Sequence, residues 1–373
     1  MENSILVPDA AQNVVRGASC DSNDQEDTDA PSRSGNSTPP ISEVTTSWVS
    51  CIRSKLQDQG IGPEATSIIL DSWRKGTKNQ YSSSLKHWLD YCKQHTYSIT
   101  TPSLPQVLEF LTQKSTTLGY SAIGTLRSAL SSFITVEGFS LGDHPLIKRF
   151  MTGIYNRKPS LPRYTEAWDL HVVVDYFKTL PENDQLHIKP LTMKLTVLIA
   201  LISAQRLQTL QSLSLDGMSS TNDSFCFKLL VLLKQTSRNG GKNRHLAPII
   251  FKRFPYDSKL CPVGLLKEYI SRTNNVRTSQ QLLLCYNKPH RPASRDTISR
   301  WIKQILSKAG IDTKVFKAHS CRSAAASTAK AADVTVDEIL AIAGWRSDST
   351  FVKFYNKPLK RADNSFAEAV LKC

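Results

Sequence analysis

Four short stretches in the second half of the chain hold side chains whose types suit phosphate chemistry. The first is Ile202-Ser-Ala-Gln-Arg206-Leu-Gln-Thr-Leu210, which sets one guanidinium in an apolar, helix-compatible run. Alone, such an arginine is ordinarily structural, its stem covering the core and its head reaching water. The second is Lys234, which opens the stretch Gln235-Thr-Ser-Arg-Asn-Gly-Gly-Lys-Asn-Arg244. Alone it reads as a solvated hairpin lysine, and Lys242 in the same turn is its rival. The third is Ala318-His319-Ser-Cys-Arg322-Ser-Ala-Ala-Ala326. His319 and Arg322 share one face at a helix start, and a helix N-terminus with a basic face is a natural phosphate site. The bland alternative is a capping histidine beside a surface arginine. The fourth is Gly344-Trp345-Arg-Ser-Asp-Ser-Thr-Phe-Val-Lys-Phe-Tyr355-Asn-Lys-Pro358. There Asp348 or Ser349 can cap a short helix that Pro358 ends, and Phe351 and Tyr355 at i, i+4 are commonly just core aromatics.

These stretches need a scaffold, and the pattern along the chain supplies one. Residues 1–45 are rich in Ser, Asn, Asp, Thr and Pro and read as a disordered acidic tail. Residues 63–158 repeat apolar positions at helical spacing and read as four or five helices, a small all-α domain. Ser103 before Pro105 marks one helix start, Tyr120–Val136 a further helix, and Pro145–Tyr155 the last. Residues 159–163, with two prolines, read as a linker that runs along a polyanion through Arg157 and Lys158 just before it and Arg163 at its end. Residues 164–373 form a second, mostly helical domain with a strand insert. Leu191–Gln211 is a long apolar helical stretch with a break near Ser203. Ser224–Leu233 and His245–Phe251 read as strands, and Leu282–Tyr286 as a third. Helices follow at about 294–309, 320–332, 336–344, 349–357 and 364–372. The fold class expected is mainly α with a small β-sheet.

Charge narrows the partners. Lys and Arg number 47 against 32 Asp and Glu in the 373 residues, a net of +15. Residues 1–50 hold only Arg16 and Arg33 against eight acidic residues, which leaves +21 on residues 51–373. Such a body attracts a polyanion, nucleic acid before an anionic membrane surface. No apolar run approaches the roughly 18 residues a bilayer span requires, and the acidic Met-Glu-Asn-Ser start is unlike a secretory signal. The eight cysteines are scattered without a C-x-x-C, so neither a disulfide framework nor a zinc finger is expected. No acidic cluster suggests metal ligands and no phosphate-binding glycine loop of the ATPase type occurs, so neither a metal nor another cofactor is expected.

The order and spacing of the four stretches are more specific than any one of them. An arginine, a hairpin lysine, H-x-x-R, Gly-Trp and a tyrosine ten residues beyond that tryptophan resemble the tyrosine recombinase (phage integrase) family, from about residue 65 onward. His319-Ser-Cys-Arg322-Ser-Ala-Ala-Ala, Ile339-Leu-Ala-Ile-Ala-Gly-Trp345 and Ser349-Thr-Phe-Val-Lys-Phe-Tyr-Asn356 are most similar to recombinases of DIRS-like eukaryotic mobile elements. The resemblance implies a SAM-like core-binding domain followed by an α+β catalytic domain, closing as a clamp on double-stranded DNA. It implies that Arg206 and Arg322 stabilise the reacting phosphate and that Tyr355 attacks it to give a 3′-phosphotyrosine. His319 would move the tyrosine proton, Trp345 would hold a phosphate oxygen through its indole N–H, and Lys234 would protonate the departing 5′-oxygen. Arg157, Lys158, Arg163, Arg238, Lys242 and Arg244 would contact the DNA backbone. A homotetramer on synapsed DNA and a nuclear location follow from the same resemblance. Two other readings keep parts of it: a DNA-binding protein descended from a recombinase that no longer cuts, and a topoisomerase IB-like nicking and closing enzyme.

Overall fold

The computed structural model describes residues 47–159, 164–231, 233, 247–345 and 347–359. The chain divides into two compact units, Met1–Leu161 and Pro162–Cys373.

The first unit carries helices α1 (Trp48–Asp58), α2 (Pro63–Asp71), α3 (Lys75–His95), α4 (Leu104–Thr117), α5 (Tyr120–Ser131) and α6 (Pro145–Arg157). Helix α1 precedes the expected start of the helical region. Its N-terminus is held by a reciprocal cap in which Ser47 Oγ accepts from Ser50 N–H and Ser50 Oγ from Ser47 N–H. Trp48 enters the core, its indole N–H donating to Ser132 Oγ at 2.9 Å. Trp88, Val107, Phe110, Leu111, Ile123 and Ile147 complete that core, all fully buried. Ser103 caps α4 as the sequence predicts, with Gln106 as its partner.

One expectation for this unit is corrected. The helix from Tyr120 stops at Ser131, and the unit is not wholly α. Thr135–Val136 (β1) pairs antiparallel with Phe139–Ser140 (β2) across Glu137-Gly138, both at positive φ (51° and 79°). Two consecutive positive-φ residues make the tight turn that suits a hairpin's twist, and Gly138 adopts it without steric cost.

The second unit is built around α8 (Ile188–Ser203), whose residues from Leu191 to Leu201 are all buried. A helix apolar all round needs neighbours on every side, and α10 (Pro262–Thr273), α11 (Arg295–Lys308) and α12 (Ser320–Ala331) supply them. Helices α7 (Leu170–Thr179), α9 (Leu207–Gln211), α13 (Val336–Ala343) and α14 (Asp348–Phe354) complete the helical set among the described residues. A three-stranded antiparallel sheet, ordered β3 (Met218–Ser220), β4 (Ser224–Phe227), β5 (Ile249–Lys252), covers one edge. Phe225 and Phe227 of β4 face the core opposite Phe251 and Ile249. At the far end of the unit Ala167 N–H donates to Pro358 O at 2.9 Å, and Ala167 bridges Leu359 in parallel.

The strands differ from the sequence reading. The first ends at Phe227, not Leu233; beyond it Leu230 and Val231 are both exposed, so the inward–outward alternation stops. The second runs to Lys252 rather than Phe251, and β3 was not foreseen. Leu282–Tyr286 forms no strand, only the isolated bridge Leu284–Pro292; Pro289 and Pro292 opposite it lack the N–H groups a ladder needs. Helix α14 ends at Phe354, three residues short of the expected limit, and its cap is Ser347 rather than Asp348 or Ser349. The expected helix at 364–372 lies outside the described residues.

Candidate active site

The apolar run that forms α8 cannot continue past Ser203 because Ala204 turns left-handed, at φ 46°. That bend ends α8 and leaves Gln205 between it and α9. Gln205 Nε2 donates to Ile342 O of α13 at 2.6 Å. Arg206 becomes the first residue of the α9 turn, its carbonyl accepting from Thr209 and Leu210 N–H. The residue is half-buried, and its Nε and Nη1 are buried and meet no acceptor.

Helix α12 supplies the second guanidinium. Its start is fixed by Ser320, whose hydroxyl accepts from Trp168 Nε1 at 2.9 Å and donates to Lys317 O at 2.7 Å. Arg322 is 2 % exposed. Nη2 donates to Ala343 O at 3.2 Å, whereas Nε and Nη1 meet no acceptor. Its Cζ lies 4.9 Å from the Trp345 ring and 5.4 Å from the Tyr355 ring. Ala324 and Ala326, both buried, leave room for this approach.

Helix α13 ends at Gly344 in the left-handed region, φ 67°, a conformation glycine adopts freely. The turn brings Trp345 back so that its ring stacks on Tyr355, centroids 4.3 Å apart and planes 27° apart. Phe351 lies behind, a core aromatic as its spacing suggested. Tyr355 is more than core. Its hydroxyl lies 3.2 Å from His319 Nε2. His319 occupies the N-cap position of α12 but makes no side-chain cap. Trp345 Nε1 is buried without an acceptor.

The charges follow from these positions. Burial first, then Arg322 and Arg206, push His319 down to about 4, so the free imidazole is neutral at physiological pH. With its proton on Nδ1, Nε2 accepts from the Tyr355 hydroxyl. Burial also lowers Arg322 to about 9, with Arg206 adding to the shift and the Tyr355 hydroxyl opposing it; the guanidinium stays charged at neutral pH. Burial raises the Cys321 thiol to about 12, which removes it as a rival nucleophile. The result is a cluster of two cations, an indole donor, a neutral base and a phenol.

Lys234, Arg238, Lys242, Arg244 and Arg163 lie outside the described residues. Arg157 is exposed at the end of α6. Lys158 is exposed too, but its ammonium donates to Ser115 O at 2.7 Å and Thr116 O at 3.0 Å, closing the C-terminus of α4. That bond competes with a phosphate contact. On α11, Arg300, Lys303 and Gln304 are exposed and Ser299 is half-buried. Among the described residues no cluster of His, Cys, Asp and Glu is arranged to hold a metal ion, and no helix is long and apolar enough to cross a membrane.

Residues 175–361 match the family model described as the phage integrase family. No curated protein is significantly similar in sequence. Among solved structures the chain is similar to XerH site-specific recombinase bound to difH substrate in a pre-cleavage complex, at 14 % identity and TM-score 0.51, covering 87 % of this chain and 84 % of that one. Its post-cleavage complex with palindromic difH gives TM-score 0.52 at 14 % identity over 79 % of each chain. A lambda integrase(75–356) dimer bound to a COC′ core site gives TM-score 0.50 at 13 % identity, over 84 % of this chain and 97 % of that one. At these identities the likeness is one of fold.

Proposed function

The chain belongs to the phage integrase (tyrosine recombinase) family, and from that premise we propose that it is an active site-specific DNA recombinase working through a 3′-phosphotyrosine. The observation that carries this reading is a set of five buried nitrogens without acceptors: Arg206 Nε and Nη1, Arg322 Nε and Nη1, and Trp345 Nε1. Leaving such donors unmade is costly, and a phosphodiester supplies the missing acceptors.

In the reaction, Tyr355 Oη attacks the scissile phosphorus while its proton passes to His319 Nε2. A P–O bond to tyrosine forms and the bond to the 5′-oxygen breaks. Lys234 gives the departing oxygen its proton. The two guanidiniums and the indole N–H hold the non-bridging oxygens as charge grows on them, preorganised and away from water. Religation is the same path reversed, with the 5′-hydroxyl attacking the phosphotyrosine.

The first unit, Arg157 and the basic face of α11 contact the duplex, in keeping with the +21 borne by residues 51–373. The recombinases of similar fold are bound to DNA, one as a dimer; this chain assembles as a homotetramer on two synapsed duplexes. Its substrate is the end of a DIRS-like mobile element in a eukaryotic nucleus, which it integrates or mobilises.

The test begins with duplexes selected from a random pool by the Tyr355→Phe protein. Rebuilt with a nick that lets the cleaved end escape, these duplexes should trap the unaltered protein as a covalent adduct on a denaturing gel, and Tyr355→Phe should bind but leave none. An adduct of normal yield from Tyr355→Phe refutes the assignment.

A further inference from the structure

Helix α14 has seven residues, too few to be stable alone. Tyr355 is its C-terminal cap: its N–H still bonds to Phe351 O at 2.8 Å, but its carbonyl lies past the last bond within the helix. Two serines of α12 take up that carbonyl. Ser327 Oγ donates to Tyr355 O at 2.8 Å and Ser323 Oγ donates to the same oxygen at 3.2 Å. Ser327 Oγ also accepts from Lys357 N–H at 3.1 Å. Both serines are buried, at 1 % and 4 % exposure.

These hydroxyls behave unlike those of α8. Thr192, Thr196 and Ser203 of α8 return their protons to the carbonyl four residues back, the usual habit of a hydroxyl inside a helix. Ser323 and Ser327, set one turn apart around Ala324-Ala325-Ala326, reach across to a different element. Ser323 directly follows Arg322, and His319 begins the same helix. The backbone of Tyr355 is thereby referenced to the element that carries the charge stabiliser and the proton acceptor.

We propose that Ser323 and Ser327 are positioning residues that hold the Tyr355 backbone in register with Arg322 and His319 of the same protomer, a role that rests on reading Tyr355 as the nucleophile. A phenol on a rigid ring transmits any backbone shift to its oxygen, and in-line attack tolerates little of it. The hydroxyls touch neither the phosphate nor the reacting atoms. They set where the attacking oxygen stands, and after cleavage where the phosphotyrosine waits.

The full chain and its Ser323→Ala, Ser327→Ala and double variants are compared in three measurements, at a temperature where all are folded. Amide exchange over residues 351–358 of the free protein reads the hydrogen bonds without catalysis. Affinity for the pool-selected duplex reads DNA binding. Single-turnover adduct formation at saturating protein on the nicked duplex reads chemistry. Exchange should quicken in Ser327→Ala and most in the double variant, and affinity should stay within about twofold. The adduct rate should fall by roughly 10- to 100-fold in the double variant, the scale on which small misplacements act. An unchanged adduct rate in the double variant overturns the positioning role, whatever the exchange shows. A rate loss matched by an equal loss of affinity overturns it as well, because the serines then serve the DNA-binding surface. If the unaltered protein forms no adduct while exchange changes as expected, the reading of Tyr355 falls, and the positioning role with it.

Discussion

Acidifying from pH 8 to pH 5.5 should leave the bimolecular rate of covalent adduct formation almost unchanged. His319 must be neutral to take the tyrosine proton, and burial together with Arg322 and Arg206 places its titration at about 4. At pH 5.5 about 3 % of such rings are protonated, against about 90 % for an imidazole at the ordinary value near 6.5. The expected loss is thus a few per cent in place of roughly tenfold. The sign is that of a depressed group: the competent neutral form is present above about 4 and is lost only as pH falls through it. The same difference between folded and unfolded rings contributes stability above about pH 6.5 that disappears between there and pH 4, on the order of 3 kcal/mol. The assay uses limiting protein and DNA, because the bimolecular rate reports the free protein. At saturating DNA the bound phosphate offsets the arginine charges and the profile shifts to higher pH. Circular dichroism confirms that the protein is folded at each pH. An inflection between pH 6 and 7 in the bimolecular rate, absent from His319→Gln, refutes the reasoning.

Three more outcomes follow from the site. Arg322→Met should cut the adduct rate by roughly 100-fold or more, yet the thermal midpoint of the DNA-free protein should be no lower, since a buried charge with two open donors is replaced by an apolar chain; a clear drop in the midpoint shows that the charge is stabilising. Lys234→Ala should be severely slow on an ordinary duplex but recover on a 5′-bridging phosphorothiolate, whose thiolate departs without a proton; rescue of Lys242→Ala alone moves the general acid to Lys242. Deleting residues 1–45, which carry a net −6, should preserve or tighten non-specific DNA affinity, and the affinity should fall steeply with salt; loss of cleavage in a folded deletion protein shows a specific role for that segment.

The legible features were those encoded over short distances. The run from Leu191 and its break near Ser203 are a matter of consecutive residues, as is the i, i+3 pairing of His319 with Arg322. The pairings that give the site its form were not legible. Gln205 reaches Ile342 across 137 positions and Trp168 reaches Ser320 across 152, and no local pattern encodes either. The turn at Glu137-Gly138 lacks the asparagine or aspartate that usually marks a tight hairpin, so the apolar residues up to Val136 read as a continuation of the helix from Tyr120. The strand expected to end at Leu233 rested on alternating residue types, which persist in the sequence after the ladder has ended. Lys158 was judged by its charge, yet carbonyls of α4 compete for it.

The bridge between Ala167 and Leu359 bears on how the protein is made. It joins the start of the second unit to the residues just past the tyrosine, so that part of the fold closes late in synthesis. A ribosome adding roughly 5–20 residues per second needs several seconds to make the 33 residues from Ser323 to Tyr355. Through that interval the nascent chain holds both arginines and the histidine but no phenol at the site. A message broken or frameshifted there yields a product that keeps Arg206, His319 and Arg322 and lacks Tyr355. The order of residues along the chain thus makes Tyr355 the last residue of the candidate site to be synthesised.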